Sequence, residues 1–95
     1  MARKLDHIVL CAPDLDVMRQ AYDRLGFTLT PRAVHPFGTR NHLAQLQDNF
    51  IELLSIDDVA RIPPDAAGQF NFGGRARDYI ADRQQGLMMV VLAST

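Results

Sequence analysis

His7 and Glu52 are the two residues of this chain best suited to chemistry. Each sits inside a short apolar run, Leu5-Asp6-His7-Ile8-Val9-Leu10 and Asn49-Phe50-Ile51-Glu52-Leu53-Leu54-Ser55-Ile56. An imidazole or a carboxylate among aliphatic neighbours costs stability unless it meets a hydrogen-bond partner, a ligand or a cation. Brought together, the two supply a nitrogen and an oxygen donor that suit zinc, iron, manganese or nickel. Glu52 alone is a candidate catalytic group, as a metal ligand or a proton shuttle. The plainer alternatives are a backbone hydrogen bond for His7 and a salt bridge to an arginine such as Arg40 for Glu52.

The elements that must position this pair are legible in the hydrophobic pattern. A first strand, about Lys4 to Ala12, stops at Pro13, and Asp14 is placed to cap a helix. Leu15, Met18, Ala21, Tyr22 and Leu25 recur at helical spacing, with Gly26 set to end the helix in a left-handed conformation. Phe27-Thr28-Leu29-Thr30 alternates as a half-buried strand, His35-Pro36-Phe37-Gly38 reads as a loop, and a third strand spans about Thr39 to Gln47. Asp48-Asn49 then turns the chain into the strand carrying Glu52. Beyond Asp57-Asp58, Pro63-Pro64-Asp65 marks an exposed connection. Phe70 to Gly74 reads as irregular, Ala76, Tyr79 and Ile80 form a second helical face ending at Gly86, and Leu87 to Ala93 is a last strand.

Alternation along a strand puts His7 on a face with Leu5 and Val9, and Glu52 on a face with Phe50 and Leu54. If Asp48-Asn49 is a two-residue hairpin, Gln45 pairs with Glu52, which places Asn41 and Gln45 on the Glu52 face and His42 on the other. Asn41 and Gln45 are therefore candidate substrate-binding groups, and His42 is expected to be structural or exposed. His35 is a further candidate, with a loop residue fixed by Pro36 as its plainer reading. Gly38-Thr39 and Gly73-Gly74 lack the strand-to-helix context of a nucleotide-binding loop and read as turns. Cys11 is the sole cysteine. It reads as a buried small side chain, with no disulfide or thiolate cluster available within one chain.

The last strand echoes the first: Leu5-Asp6-His7-Ile8-Val9-Leu10 can be laid on Leu87-Met88-Met89-Val90-Val91-Leu92, with leucine or valine matched at the first, fifth and sixth places. Short apolar strands often match by accident; if the correspondence is a true internal repeat, Met89 stands in the place of His7. A thioether is a poor ligand for a hard divalent ion.

Composition narrows the class. Ninety-five residues suit one small domain, with ten basic against eleven acidic side chains scattered along the chain. That balance is not the footprint of a nucleic-acid binder. The apolar run at Leu87 is too short to span a bilayer, and the start has no signal-peptide core, so a cytoplasmic, non-membrane protein is expected. A chain this small gains from a partner, and an orphan last strand must pair somewhere, across its own sheet or by exchange with a second copy; a homodimer is the expected species.

Two ordered blocks, Leu5-Asp6-His7-Ile8-Val9-Leu10 followed by Asp14-Leu15-Asp16 and Leu25-Gly26-Phe27, and His35-Pro36-Phe37-Gly38-Thr39-Arg40-Asn41 followed by Phe50-Ile51-Glu52-Leu53-Leu54, resemble the glyoxalase-like domains of the vicinal oxygen chelate superfamily. The resemblance implies an α+β fold: a βαβββ module with a curved mixed sheet over residues 1–56. A helical connection over 57–86 and the first strand of a second module over 87–95 would follow. It nominates His7 and Glu52 as metal ligands on the first and fourth strands. It implies either a metal-dependent lyase, isomerase or dioxygenase acting on a small oxygenated substrate, or a metal-free protein that sequesters a small molecule, as bleomycin-resistance proteins do.

Overall fold

The computed structural model describes residues 3–93. The order is β1 (Leu5–Cys11), α1 (Leu15–Arg24), β2 (Ala33–Val34), β3 (Thr39–Gln45), β4 (Phe50–Ile56), α2 (Phe72–Arg83) and β5 (Gly86–Leu92), with a 3-10 turn at Val59–Arg61. The five strands make one mixed sheet in the order β2-β3-β4-β1-β5. β1 runs parallel to β4, and the other neighbours are antiparallel. This is the α+β architecture expected from the sequence, with the βαβββ order at its start.

α1 begins where its cap predicts. The Asp14 carboxylate accepts from the Asp16 and Val17 N–H groups at 3.0 and 3.2 Å, satisfying two of the helix's orphan donors. Leu15 is fully buried, and the helix packs on β4 and β3. Leu25, expected on the apolar face, is 72% exposed because it lies at the C-cap, beyond the last turn.

Four local expectations are corrected. Residues 27–30 supply only an isolated bridge, Leu29 to Ala44, and the second strand is Ala33–Val34. Pro31 has no N–H to continue a ladder, and the Thr30 hydroxyl takes the Leu43 N–H in place of a backbone carbonyl. β3 ends at Gln45, and residues 46–49 form a four-residue connection closed by Leu46 N donating to Asn49 O at 2.8 Å. Gln45 therefore pairs with Phe50, and Leu43 faces Glu52. The shift is two residues, so every side chain stays on its expected face.

Gly73-Gly74 is the third difference: it is the first turn of α2, capped by the Asn71 side chain accepting from Gly74 N at 3.0 Å. A β-carbon at Gly73 would stand 2.8 Å from the Phe37 carbonyl oxygen, so the missing side chain lets the helix seat on the 35–38 loop. Fourth, α2 ends before Gly86, at Gln84.

β5 lies along β1 of its own sheet, with a register that is symmetric. Under the correspondence that lays Leu5–Leu10 on Leu87–Leu92, the pairs Leu5↔Leu92 and Leu10↔Leu87 exchange, His7↔Val91 and Val9↔Met89 exchange, and Ile8↔Val90 maps onto itself. The two irregularities also correspond. β1 carries an unpaired Asp6 between its Leu5 and His7 pairs, and β5 an unpaired Met88 between its Met89 and Leu87 pairs. These are β-bulges, which bend a strand and re-aim a side chain.

α2 covers part of the face that bears His7 and Glu52. Its Ala76 packs with Val9, Cys11 and Leu54, and Phe72, Tyr79, Ile80, Met88 and Met89 close around them. The opposite face holds the buried Ala44, Leu53 and Ser55. Among the described residues no helix is long and apolar enough to cross a membrane.

Candidate functional site

β1 and β4 are adjacent and parallel, so His7 lies beside Phe50, and Val9 beside Glu52. The imidazole and the carboxylate thus meet diagonally on one face. His7 Nε2 stands 3.7 Å from Glu52 Oε1. Glu52 is only 8% exposed, and its other oxygen, Oε2, accepts from Asn41 Nδ2 at 2.7 Å. A carboxylate has no proton to donate when ionised, so this bond requires the amide nitrogen on the Glu52 side.

His7 is held on two further sides. Phe50 stacks on the imidazole with ring centroids 4.4 Å apart and planes 7° from parallel. Asp6 Oδ2 lies 2.7 Å from His7 Nδ1. Strict alternation would send consecutive side chains to opposite faces. The bulge at Asp6 breaks that rule, which is why the sequence pattern did not reveal this neighbour.

The remaining candidates divide. Asn41 reaches Glu52, as its face assignment implies. Gln45 is exposed, and its amide donates to the Leu46 and Asn49 carbonyls at 3.1 and 3.2 Å, tying it to the hairpin connection. His35 bonds through Nδ1 to Thr39 Oγ1 at 2.7 Å and stacks on Phe37 at 4.9 Å, so its contacts are with the loop and not with Glu52. His42 is buried, its Nδ1 2.8 Å from the Thr30 carbonyl, and is structural as expected. Arg40 is no partner of Glu52. It alternates with Asn41 on β3 and so projects from the other face, where its Nε is buried without a hydrogen bond among the described residues.

Cys11 is buried, and its thiol is pushed up to about 12, first by desolvation and then by the charge of Glu52. Its Sγ lies 3.5 Å from Met88 Sδ. Such a thiol is inert at neutral pH. A groove of about 890 Å3 runs between α2 and β5, lined by Arg75, Tyr79, Met88 and Met89 among others. Neither His7 nor Glu52 lines it, so this groove is separate from the polar pair.

The donor chemistry fits a divalent ion in part. An ion about 2.1 Å from each donor needs them roughly 3.0–3.4 Å apart, within a small side-chain adjustment of 3.7 Å. Two donors make an incomplete coordination shell. Among the described residues no group of three or more His, Cys, Asp or Glu side chains is arranged to hold a metal.

Residues 5–95 match the sequence profile of the glyoxalase-like domain. The chain belongs to that family, within the vicinal oxygen chelate superfamily. No curated protein matches this glyoxalase-like chain in sequence. Among solved structures, it is similar to methylmalonyl-CoA epimerase from Mycobacterium tuberculosis, with TM-score 0.67 and 22% identity over 94% of this chain and 53% of that one. A Streptomyces coelicolor methylmalonyl-CoA epimerase variant in complex with 2-nitronate-propionyl-CoA gives TM-score 0.72 and 18% identity over 98% of this chain and 62% of that one. A hypothetical protein from Bacillus halodurans gives 0.69 and 18%, over 100% and 61%. At these identities the likeness establishes the shared fold. The glyoxalase-like chain spans between about half and two thirds of the length of these structures.

Proposed function

We propose that the chain carries one wall of the active site of an isomerase-type enzyme that moves a proton on a small oxygenated substrate, such as a carbon acid beside a carbonyl. The observation that carries this reading is the 3.7 Å approach of His7 Nε2 to Glu52 Oε1, with Oε2 already committed to Asn41. A buried carboxylate with one oxygen fixed presents the other in a defined direction. Asn41 orients Glu52, Phe50 supports the imidazole plane, and the apolar surroundings limit competing water.

His7 and Glu52 would hold a zinc, iron, manganese or nickel ion, which supplies polarisation of the substrate carbonyl when bound. Where no ion stands between them, Glu52 Oε1 is the group that takes and returns the proton. The ligands bound in the similar epimerase structures, methylmalonyl-CoA and 2-nitronate-propionyl-CoA, motivate acyl thioesters as the first substrates to try.

The symmetric pairing of β1 with β5 supports the further reading that residues 87–95 begin a second module, which would supply the rest of the site. Self-association of two chains is the proposed route for the isolated chain, through the outer edge of β5 and its exposed Leu87, Val90 and Leu92. A metal-free binding protein of the bleomycin-resistance type is the second reading. It is favoured by Met89 at the position related to His7.

The deciding experiment is deuterium wash-in from D2O at the α-carbon of methylmalonyl-CoA, read by mass spectrometry on protein purified without chelator or affinity tag. Elemental analysis of the same sample reports the metal. Exchange that disappears in Glu52→Gln supports the enzyme. No exchange from acyl thioesters with any of the four metals added, alongside saturable ligand binding, would establish the binding-protein reading instead.

A further inference from the structure

Asp6 contacts His7 but faces neither Glu52 nor Asn41. It is partly exposed, sits on no strand-pairing position in β5, and belongs by alternation to the face opposite His7. Yet its carboxylate lies 2.7 Å from His7 Nδ1. The bulge between the Leu5↔Leu92 and His7↔Val91 pairs is what turns it there. We propose that Asp6 is a positioning residue, delivered by this bulge, that keeps the proton of neutral His7 on Nδ1 and so leaves the Nε2 lone pair facing Glu52.

The two distances decide the tautomer. At 2.7 Å the Asp6 contact is a full hydrogen bond, and a carboxylate oxygen can only accept, so Nδ1 must donate. At 3.7 Å the Glu52 contact is too long for Nε2–H to donate. A neutral His7 therefore carries its hydrogen on the Asp6 side. The unshared pair on Nε2 points towards a carboxylate oxygen, which suits a third group between them: a proton, a substrate hydrogen-bond donor or a divalent ion. Phe50, stacked at 4.4 Å, keeps the ring from rotating out of this alignment.

The inference deepens the proposed function, since a ligand-facing Nε2 matters only if the His7–Glu52 pair is the site. A carboxylate behind a metal-binding imidazole fixes ring orientation, and its loss typically weakens metal affinity 10–100-fold. The related bulge in β5 places Met88 where β1 has Asp6, so the orienting group has no equivalent there.

The test is 15N NMR of the histidine rings at a pH where imidazole is neutral, with the His7 signals assigned by their loss in His7→Gln. The intact chain is expected to show a protonated Nδ1 and an unprotonated Nε2. Asp6→Ala, which removes the acceptor, is expected to move the proton towards Nε2, and the isosteric Asp6→Asn, whose amide can accept from Nδ1–H or donate to a bare Nδ1, is expected to weaken the preference. An Nε2–H tautomer in the unaltered protein, or an unchanged tautomer in both variants, overturns the inference. Zn2+ titration of the same proteins should show 10–100-fold weaker binding in Asp6→Asn. If no Zn2+ binds the unaltered protein while the tautomer shifts as expected, Asp6 keeps its role and the metal-holding part of the proposed function fails.

Discussion

Asn41 Nδ2 donates to Glu52 Oε2 at 2.7 Å across the β3–β4 pair, where each residue is two positions away from the other's direct partner. This diagonal bond lets a carboxylate survive at 8% exposure. Removing its donor strands a buried acceptor. Asn41→Leu should cost about 1–3 kcal/mol in urea unfolding, whereas Asn41→Leu combined with Glu52→Leu should recover most of the loss. A double variant no more stable than the single one would refute the bond's structural role.

Metal binding to the isolated chain should be weak, because among the described residues only His7 and Glu52 converge and further coordination positions fall to water. Zinc should be removed by dialysis against a mild chelator. His7→Gln and Glu52→Gln should each abolish the titration. Stoichiometric metal that survives such dialysis would point to additional ligands.

The Cys11 thiol has its ionisation raised from 9.0 to about 12 by burial and by Glu52. Its native value exceeds the unfolded one, so the associated stability is fully present below pH 9.0 and declines as pH rises towards about 12. Cys11→Ala should flatten this alkaline loss, as measured by chemical denaturation between those limits. In the native protein at neutral pH, iodoacetamide should label Cys11 only on opening.

Gln84 has φ 67° and ψ −61°, and Gln85 N donates to Arg83 O at 2.8 Å, which together make a γ-turn in its strained, positive-φ form. Glycine adopts this conformation without a β-carbon penalty. Gln84→Gly should stabilise the chain by about 1 kcal/mol, visible as a raised Tm. A fall in Tm would show that the Gln84 side chain contributes more than its backbone costs.

Self-association should appear in sedimentation at tens of micromolar as a homodimer. A charged residue at the outer edge, Val90→Lys, should shift it to monomer without unfolding the sheet. A monomer at that concentration in the unaltered chain would end the dimer proposal.

Elements with strong periodicity and capping were legible: α1 from its Asp14 cap and apolar spacing, and β1 and β4 from their aliphatic runs. The shared face of His7, Glu52 and Asn41 survived a hairpin two residues longer than expected, because an even slip preserves the side of the sheet. Less was visible where tertiary contact outweighs local preference. Two consecutive glycines looked like a turn, but Gly73 is the point at which α2 meets the Phe37 carbonyl. Asp6 was missed because a bulge depends on the partner strand, and β5 lies far along the chain from it.

The matching bulges of β1 and β5 make the strand pair symmetric in its backbone and directional in its chemistry. A local two-fold rotation through the Ile8↔Val90 pair exchanges the two strands, bulge for bulge, and carries the positions of Asp6 and His7 onto those of Met88 and Met89. One end of the pair is therefore polar and the other apolar, and a framework that pairs alike in both directions presents different side chains at its two ends.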